Sequence, residues 1–299
     1  MERTMNLASL IQELFALTSE KPVEVQALRL LGYIDTEPVL TFLDDEKFLP
    51  MLLAEPRVQT VFITPALAPR LAGTQLNPLV HEDPRWCYYT LWNKLAATTR
   101  PPVPTLIHPS ARIHPTAFVE SHDVVLAEGV ILEPNVTVLA HVEIGRNTIV
   151  RAGSVLGSMG FEHKRTKKGI VSVIHDGKVI IGENVEIGAN CCFDLGFSYR
   201  QTIIGDECKF DNFIHIAHGD QLGKRCFLAA AAMVAGSVTM GDDVWVGPGA
   251  SISSQITLGD CASVTIGAVV TRDVPAGKKV SGNFAIDHQR FLTFLKTIR

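Results

Sequence analysis

The sequence predicts a parallel β-helix, because apolar residues recur at every sixth position over long stretches of the 299-residue chain. One such series runs without a miss from Ile204 to Val270, and an earlier one runs from Leu126 to Leu156. Helices repeat near 3.6 residues and ordinary strands near two, so a strict period of six fits neither. Each repeat is therefore predicted to form one short strand and one turn of a solenoid.

The predicted solenoid extends from about residue 107 to about residue 275. Residues 158–178 interrupt it: they are rich in charge, cannot fill a rung of the coil, and are predicted to leave it as a loop. A shorter excursion at residues 198–202 also disturbs the count. Function should be sought where the pattern breaks, since the repeats themselves only build the core.

The two ends of the chain lack the period of six. Residues 1–100 are predicted to form a small α/β domain, with strands at 39–43 and 58–63 and helices at 7–17, 47–53 and 83–99. Successive prolines near residue 101 indicate an extended linker. Residues 285–299 are predicted to form one short helix, because their large apolar side chains share a face.

Composition narrows the class of protein. The chain is 46% hydrophobic with a formal charge of −4, which argues against a nucleic-acid-binding protein. No apolar run reaches transmembrane length and no secretory leader is recognisable, so a cytoplasmic protein without an integral membrane segment is expected. Six cysteines show neither metal nor disulfide spacing, so free thiols and no metal are expected.

The residues that suggest chemistry lie in and just after the segment 210–219. His218 follows the inward Ile216 by two residues and is predicted to lie at a corner of the coil. If one coil has eighteen residues, Gly236 lies beside His218, and a base next to a bare backbone N–H suits acyl transfer. A polar corner residue next to a turn glycine is the alternative. Asp211 is expected on an adjacent corner, so its contact with His218 depends on side-chain reach or a neighbouring subunit.

The chain carries recognisable motifs in five segments of the solenoid, at residues 107–111, 157–161, 181–190, 209–218 and 235–237. These segments resemble the UDP-3-O-acylglucosamine N-acyltransferases, and residues 40–48 resemble the nucleotide-binding segment of that family. The resemblance implies a left-handed β-helix in which three repeats make one triangular turn. It also implies homotrimers, with each active site between two β-helices.

The resemblance also assigns catalytic roles to individual residues. His218 would be the general base, Asp211 its orienting carboxylate, and Gly236 the donor of the oxyanion N–H. Ser237 and Gln255 would contact substrate or acyl donor, and Gln255 stands where the family has a second active-site histidine.

Further roles fall outside the repeats. By resemblance, Phe42 and Phe48 would flank the base of a nucleotide, with Asp45 near its edge; ordinary core packing is the alternative. Lys164 and Arg165 of the charged loop are predicted to meet the phosphates of coenzyme A or an acidic carrier protein. A solvated loop is the alternative there.

Departures from the family pattern favour one acceptor and one acyl donor over the others. Leu195, Gly219, Phe48 and Gln255 replace residues expected in the family, and its long helical C-terminal extension is nearly absent. These departures favour an N-acyltransferase that acylates a nucleotide-linked amino-deoxy sugar for a surface glycan such as O-antigen, with acyl-coenzyme A as donor. No bound cofactor is expected.

Three other interpretations stay open. The first is the lipid A enzyme itself, which acylates UDP-3-O-acylglucosamine from acyl carrier protein. The second is a non-catalytic trimer that binds a nucleotide sugar. A γ-type carbonic anhydrase is disfavoured, because the residues expected one coil away from His215 and His218 include Phe197 and Arg200 and form no ladder of metal ligands.

Overall fold

The computed structural model describes residues 5–19, 21–97, 101–282 and 285–297, which form two compact units. One unit comprises the chain up to residue 101 together with residues 161–176. The other comprises residues 102–160 and the chain from residue 177 onward. The hexapeptide repeats therefore fold together in the second unit, and residues 161–176 belong to the first unit.

The second unit is a left-handed β-helix whose strands form three parallel sheets. The period of six predicted the β-helix, and the family resemblance implied its hand and its triangular coil. The first sheet contains Leu106–Ile107, Val124–Leu126, Val142–Ile144, Val179–Ile181, Thr202–Ile204, Gln221–Leu222, Thr239–Met240 and Thr257–Leu258. The second contains Arg112–Ile113, Ile131–Leu132, Ile149–Val150, Glu186–Ile187, Lys209–Phe210, Phe227–Leu228, Trp245–Val246, Ser263–Val264 and Lys279–Val280. The third contains Phe118–Val119, Thr137–Val138, Val155–Ser158, Cys192–Asp194, His215–Ile216, Met233–Val234, Ser251–Ile252 and Val269–Val270.

The apolar residue of each repeat points into the coil, where it stacks on its equivalents from the coils above and below. Ile216, Val234 and Ile252, for example, follow one another along the third sheet and are completely buried. Burying one such side chain contributes about 1.5–3 kcal/mol. A second inward column lies two residues earlier in each repeat and is mostly small or apolar, as at Cys226 and Ala232.

Coil length varies, and this corrects the simple count of eighteen. His215 pairs with Met233, eighteen residues on, but Cys192 pairs with His215, twenty-three residues on. The extra residues lie at 195–201, between Cys192–Asp194 and Thr202–Ile204, and not at 198–202 as predicted. The residue one coil before His215 is therefore Cys192, and the expectation that placed Phe197 and Arg200 one coil before the two histidines is wrong.

The first unit contains a four-stranded parallel sheet, in the order Ala27–Leu28, Val39–Leu43, Val58–Ile63, Asn77–Val80. Its helices are α1 (Ala8–Phe15), α2 (Leu49–Leu53) and α3 (Pro84–Ala96), with 3₁₀ turns at Glu46–Phe48 and Ala68–Leu71. Met5–Asn6 pairs with Glu24–Val25 in a separate antiparallel ladder. The two predicted strands have the predicted bounds. The two edge strands were missed, because both are short and one contains a proline.

The charged segment is ordered and not a plain loop. His163–Thr166 and Gly169–Ser172 pair as an antiparallel hairpin. The hairpin packs on α3: Trp92 Nε1 donates to the Ile174 carbonyl at 2.9 Å, and Asn93 Nδ2 donates to the Ser172 carbonyl at 2.8 Å. The amide oxygen of Asn93 also accepts from the Ile174 N–H. These bonds tie residues 161–176 to the first unit.

A last helix, α4 (His288–Thr297), lies near the end of the described chain. It occupies the middle of the predicted helix at 285–299, of which residues 298 and 299 lie outside the described residues. Across the described ranges, no helix combines the length and apolar character needed to cross a membrane.

Candidate active site

The third sheet ends in a corner at which His218 lies against Gly236, as the spacing predicted. A Cβ atom placed on Gly236 would lie 2.5 Å from Cε1 and 2.7 Å from Nε2 of the imidazole, closer than any side chain tolerates. The Ser237 N–H donates to the His218 carbonyl at 3.0 Å, and the Gln255 N–H donates to the Gly236 carbonyl at 3.1 Å. The corner thus brings His218, Gly236, Ser237 and Gln255 together on three successive coils.

The carbonyl and the N–H of Gly236 differ in their hydrogen bonding. Its carbonyl accepts from Gln255, whereas its N–H has no protein acceptor within the described chain. The His218 imidazole beside Gly236 is half-buried. A proton acceptor and an open backbone donor therefore share one corner, which is the pair of groups that acyl transfer requires.

The excursion at 195–201 forms one wall of this corner. The ring of Phe197 meets the His218 imidazole edge-on, with centroids 5.4 Å apart, and stacks on Tyr199 with centroids 5.3 Å apart. The Arg200 guanidinium donates to the Ser237 carbonyl at 3.1 Å and to Thr239 Oγ1 at 2.8 Å. The excursion therefore packs against the imidazole and holds the next coil. Sequence reasoning missed these contacts, because the length of the excursion hides which coil it reaches.

Asp220 is a buried carboxylate at the same corner, and sequence reasoning missed it. Its two oxygens accept from the Ala217 N–H at 3.0 Å and from the Val238 N–H at 2.9 Å. Burial raises the pKa of Asp220 well above its ordinary value, against the opposing effect of the two backbone donors. The signal was present in the sequence: Asp220 occupies the second inward column, where the neighbouring coils place Thr202 and Val238.

Asp211 lies elsewhere. It follows the strand Lys209–Phe210 of the second sheet, whereas His218 follows a strand of the third sheet, so the two residues occupy different corners of the coil. The Asp211 side chain is exposed and accepts from the Asn212 N–H at 2.7 Å. The orienting role of Asp211 stays a prediction that requires a neighbouring subunit.

The three residues predicted to bind a nucleotide have different environments within the first unit. Phe42 packs against two tyrosines of α3, with ring centroids 5.1 and 5.8 Å apart, which agrees with the core-packing alternative. Asp45 accepts from the Lys47 N–H and caps the 3₁₀ turn. The Phe48 side chain is 41% exposed, with the Lys47 ammonium 4.8 Å from its ring centre. Asp45 and Phe48 are thus accessible to a ligand.

The cations of the hairpin divide into two groups. Lys164 pairs with Glu162 and lies 5.3 Å from the ring centre of Tyr89. The Lys168 ammonium lies 3.6 Å above the ring of a tryptophan of α3. Arg165 is exposed, which leaves its charge accessible to an anionic partner.

One further group of side chains lies on the third sheet. Cys192, Asp194 and His215 offer ligand atoms that all lie within 4.8 Å of one another. Burial raises the pKa of the Cys192 thiol. Sequence reasoning missed this group, because its members are not spaced like metal ligands.

Comparisons with known proteins agree with the fold. Residues 123–158 match the bacterial transferase hexapeptide family, which is defined by six repeats. A solved structure described as a UDP-N-acetylglucosamine acyltransferase superposes with a TM-score of 0.50 and 27% identity, covering 64% of this chain and 77% of that one.

Two curated relatives are both named UDP-3-O-acylglucosamine N-acyltransferase. The protein from Legionella pneumophila (strain Lens), numbered 2 of that name, is 42% identical over 160 residues, which is 52% of this chain and 46% of the relative. The protein from Caulobacter sp. (strain K31) is 32% identical over 149 residues, 50% of this chain and 44% of the relative. The matches span about half the length of these relatives.

These names correct one interpretation of the sequence. The departures at Leu195, Gly219, Phe48 and Gln255 favoured a surface-glycan amino sugar as acceptor, and that preference is wrong, because the relatives are named for a UDP-linked acylglucosamine. These names do not address the acyl donor. Replacing single polar residues is compatible with an unchanged class of substrate. The repeats, the left-handed coil and the curated relatives together show a hexapeptide-repeat β-helix that is similar to the UDP-3-O-acylglucosamine N-acyltransferases over about half the length of those relatives.

Proposed function

We propose that the chain is a UDP-3-O-acylglucosamine N-acyltransferase of lipid A biosynthesis. It transfers an acyl group from a thioester donor to the amine of the UDP-linked sugar. The names of the matched relatives support this acceptor. The observation that carries the chemistry is the contact between the His218 imidazole and Gly236, where there is no room for any side chain.

The proposed reaction uses both groups of the corner. The His218 imidazole removes a proton from the sugar amine, whose nitrogen attacks the thioester carbonyl carbon. The Gly236 N–H donates to the oxygen that becomes negative in the tetrahedral intermediate. The C–S bond then breaks, and the proton held by His218 passes to the departing thiolate. The products are an amide and a free thiol.

The remaining parts of the proposal concern binding. Asp45 and Phe48 contact the uridine nucleotide, with Phe42 supporting them from the core of the first unit. The donor is an acyl group on acyl carrier protein, and Arg165 contributes positive charge toward that acidic partner. The active form is a homotrimer. A cytoplasmic location stays a prediction.

A crossed substrate panel tests this proposal. Free thiol is measured for UDP-3-O-acylglucosamine and a dTDP-linked amino sugar as acceptors, each with acyl carrier protein and coenzyme A thioesters. We expect the highest kcat/KM for the UDP acceptor with the carrier protein. A clear preference for the dTDP sugar would refute the acceptor. Tight binding of the UDP sugar without turnover by either donor would show a binding protein instead of an enzyme.

A further inference from the structure

The outward face of the third sheet brings together three side chains that commonly bind metal ions. Cys192 and His215 are register partners on neighbouring coils, and Asp194 lies two residues after Cys192 on the same strand. Residues two apart on a strand point to the same face, and partners in a parallel ladder lie side by side. This placement exists only because the coil between Cys192 and His215 is twenty-three residues long.

The spacing of the ligand atoms suits a shared metal ion, which would replace the long hydrogen bond that the Cys192 thiol donates to Asp194 Oδ1. Asp194 Oδ2 lies 3.7 Å from His215 Nε2, and Asp194 Oδ1 lies 3.7 Å from Cys192 Sγ. Zinc bonds of about 2.0–2.3 Å in tetrahedral geometry place ligand atoms about 3.3–3.6 Å apart. All three ligand atoms already lie within 4.8 Å of one another, so small side-chain rotations close the site.

A fourth residue holds this cluster in place. Ser158 Oγ donates to Asp194 Oδ1 at 2.6 Å and lies 3.2 Å from Cys192 Sγ. The Asp194 side chain is only 7% exposed, whereas that of His215 is 41% exposed. The Ser158 hydroxyl thus orients the Asp194 carboxylate, as outer-shell residues do in metal sites. The His215 imidazole is the more solvent-accessible of the two ligands.

We propose that Cys192, Asp194 and His215 bind a zinc ion, with Ser158 as the supporting hydroxyl. Thiolate and imidazole ligands favour zinc over magnesium or calcium. Three protein ligands leave the fourth position to water. Binding converts the Cys192 thiol to a zinc-bound thiolate and releases its proton to solvent. The site consists of residues other than His218 and Gly236, and it does not depend on the proposed acyl transfer.

Cobalt titration tests the site directly. The full chain, prepared without a histidine tag and stripped with a chelator, is titrated with Co²⁺ and then with Zn²⁺. We expect about one equivalent per chain, a thiolate-to-cobalt charge-transfer band, and loss of that band when zinc displaces cobalt. Ser158→Ala should weaken metal binding by about 10–100-fold.

Two variants and a matched control make the test decisive. Cys192→Ser should abolish the charge-transfer band, and His215→Ala should lower metal affinity at least about 10-fold. Cys261→Ser, which changes an exposed cysteine of another coil, should leave the titration unchanged. Circular dichroism confirms that each variant retains its β structure. The proposal is overturned if the parent binds no metal, or if Cys192→Ser and His215→Ala bind it as the parent does.

Discussion

One absent methyl group sets the geometry around His218. The imidazole occupies the space where a Cβ of Gly236 would lie, so the glycine is required for room and not for an unusual backbone angle. The spacing predicted this contact once the family resemblance implied three repeats per coil, because the coil from His218 to Gly236 has the regular eighteen residues. The count of eighteen was wrong for the preceding coil, which has twenty-three residues. The residue that pairs with His215 on that coil is therefore Cys192 and not Phe197.

Removing the imidazole should remove the base. His218→Ala is expected to lower kcat by about 10²–10⁴-fold, with little change in affinity for the nucleotide sugar. Steady-state kinetics and calorimetry with the UDP sugar measure the two effects. His114→Ala is the control, since His114 is an exposed residue of the capping repeats whose imidazole bonds to Thr116. Near-normal kcat in His218→Ala would exclude it as the base.

Filling the space at Gly236 should displace the imidazole while keeping it present. Gly236→Ala places a Cβ 2.5 Å from Cε1 of His218, so the ring must move, and we expect kcat to fall by about 10²-fold or more as base and N–H lose alignment. Gly282→Ala is the matched control, because no atom lies within 4 Å of its added Cβ. Equal activity of the two variants would contradict the proposed geometry.

Asp220 is predicted to stabilise the corner without taking part in the chemistry. Asp220→Ala leaves the buried Val238 N–H without its acceptor, at a cost of about 1–3 kcal/mol, whereas the Ala217 N–H keeps the Val234 carbonyl at 3.1 Å. Urea unfolding measures the loss. A free energy of unfolding equal to that of the parent would show that the two bonds contribute nothing.

The raised pKa of Asp220 also predicts the direction in which the free energy of unfolding changes with pH. The folded state holds the proton more tightly than the unfolded state, so the free energy of unfolding should fall as pH rises from the ordinary carboxyl range through the raised pKa. Comparing parent and Asp220→Ala across pH isolates this contribution. A difference that grows with pH would have the wrong sign.

At the scale of elements, periodicity predicts rungs but not excursions. A strict period of six fixed the inward residues and the regular coils, because each rung repeats the same packing problem. Breaks in the period indicated excursions at residues 158–178 and 198–202, but they did not predict the contacts of residues 195–201 or of the hairpin at 163–172, because these contacts depend on tertiary packing. Two structural features were therefore not predicted from the sequence. Phe197 and Arg200 form a wall beside His218, and Cys192, Asp194 and His215 form a cluster.

The hairpin is predicted to attract the acyl donor through its exposed cations. Lys167, at the turn of the hairpin, is also exposed, and its ammonium lies 3.5 Å from a carboxylate oxygen of Glu82. Arg165→Ala with Lys167→Ala should raise the KM of the acyl carrier protein donor and flatten its dependence on salt, because screened attraction would be lost. Lys168→Ala is the control, since Lys168 is engaged with Trp86, and its loss should only lower stability by about 0.5–1 kcal/mol. An unchanged donor KM in the double variant would assign the hairpin a purely structural role.

At the scale of the whole molecule, the proposed role of Asp211 predicts a site that is shared between subunits of a homotrimer. Light scattering should give a particle of three times the 32.6 kDa chain mass. Asp211 and His218 lie at different corners of one chain, so a site that uses both needs two subunits. Mixed trimers of Asp211→Ala and His218→Ala chains should therefore regain activity that neither variant has alone. Failure of mixed trimers to exceed the separate variants would remove Asp211 from the site.

The central claim is transfer of an acyl group to a sugar amine. The most direct measurement offers the protein an acyl carrier protein thioester with either UDP-3-O-acylglucosamine, which has a free amine, or UDP-N-acetylglucosamine, which has none. Mass spectrometry of the sugar nucleotides follows the products. We predict that only UDP-3-O-acylglucosamine gains an acyl group, as an amide that resists hydroxylamine. Acylation of UDP-N-acetylglucosamine alone, as a labile ester, would contradict the account.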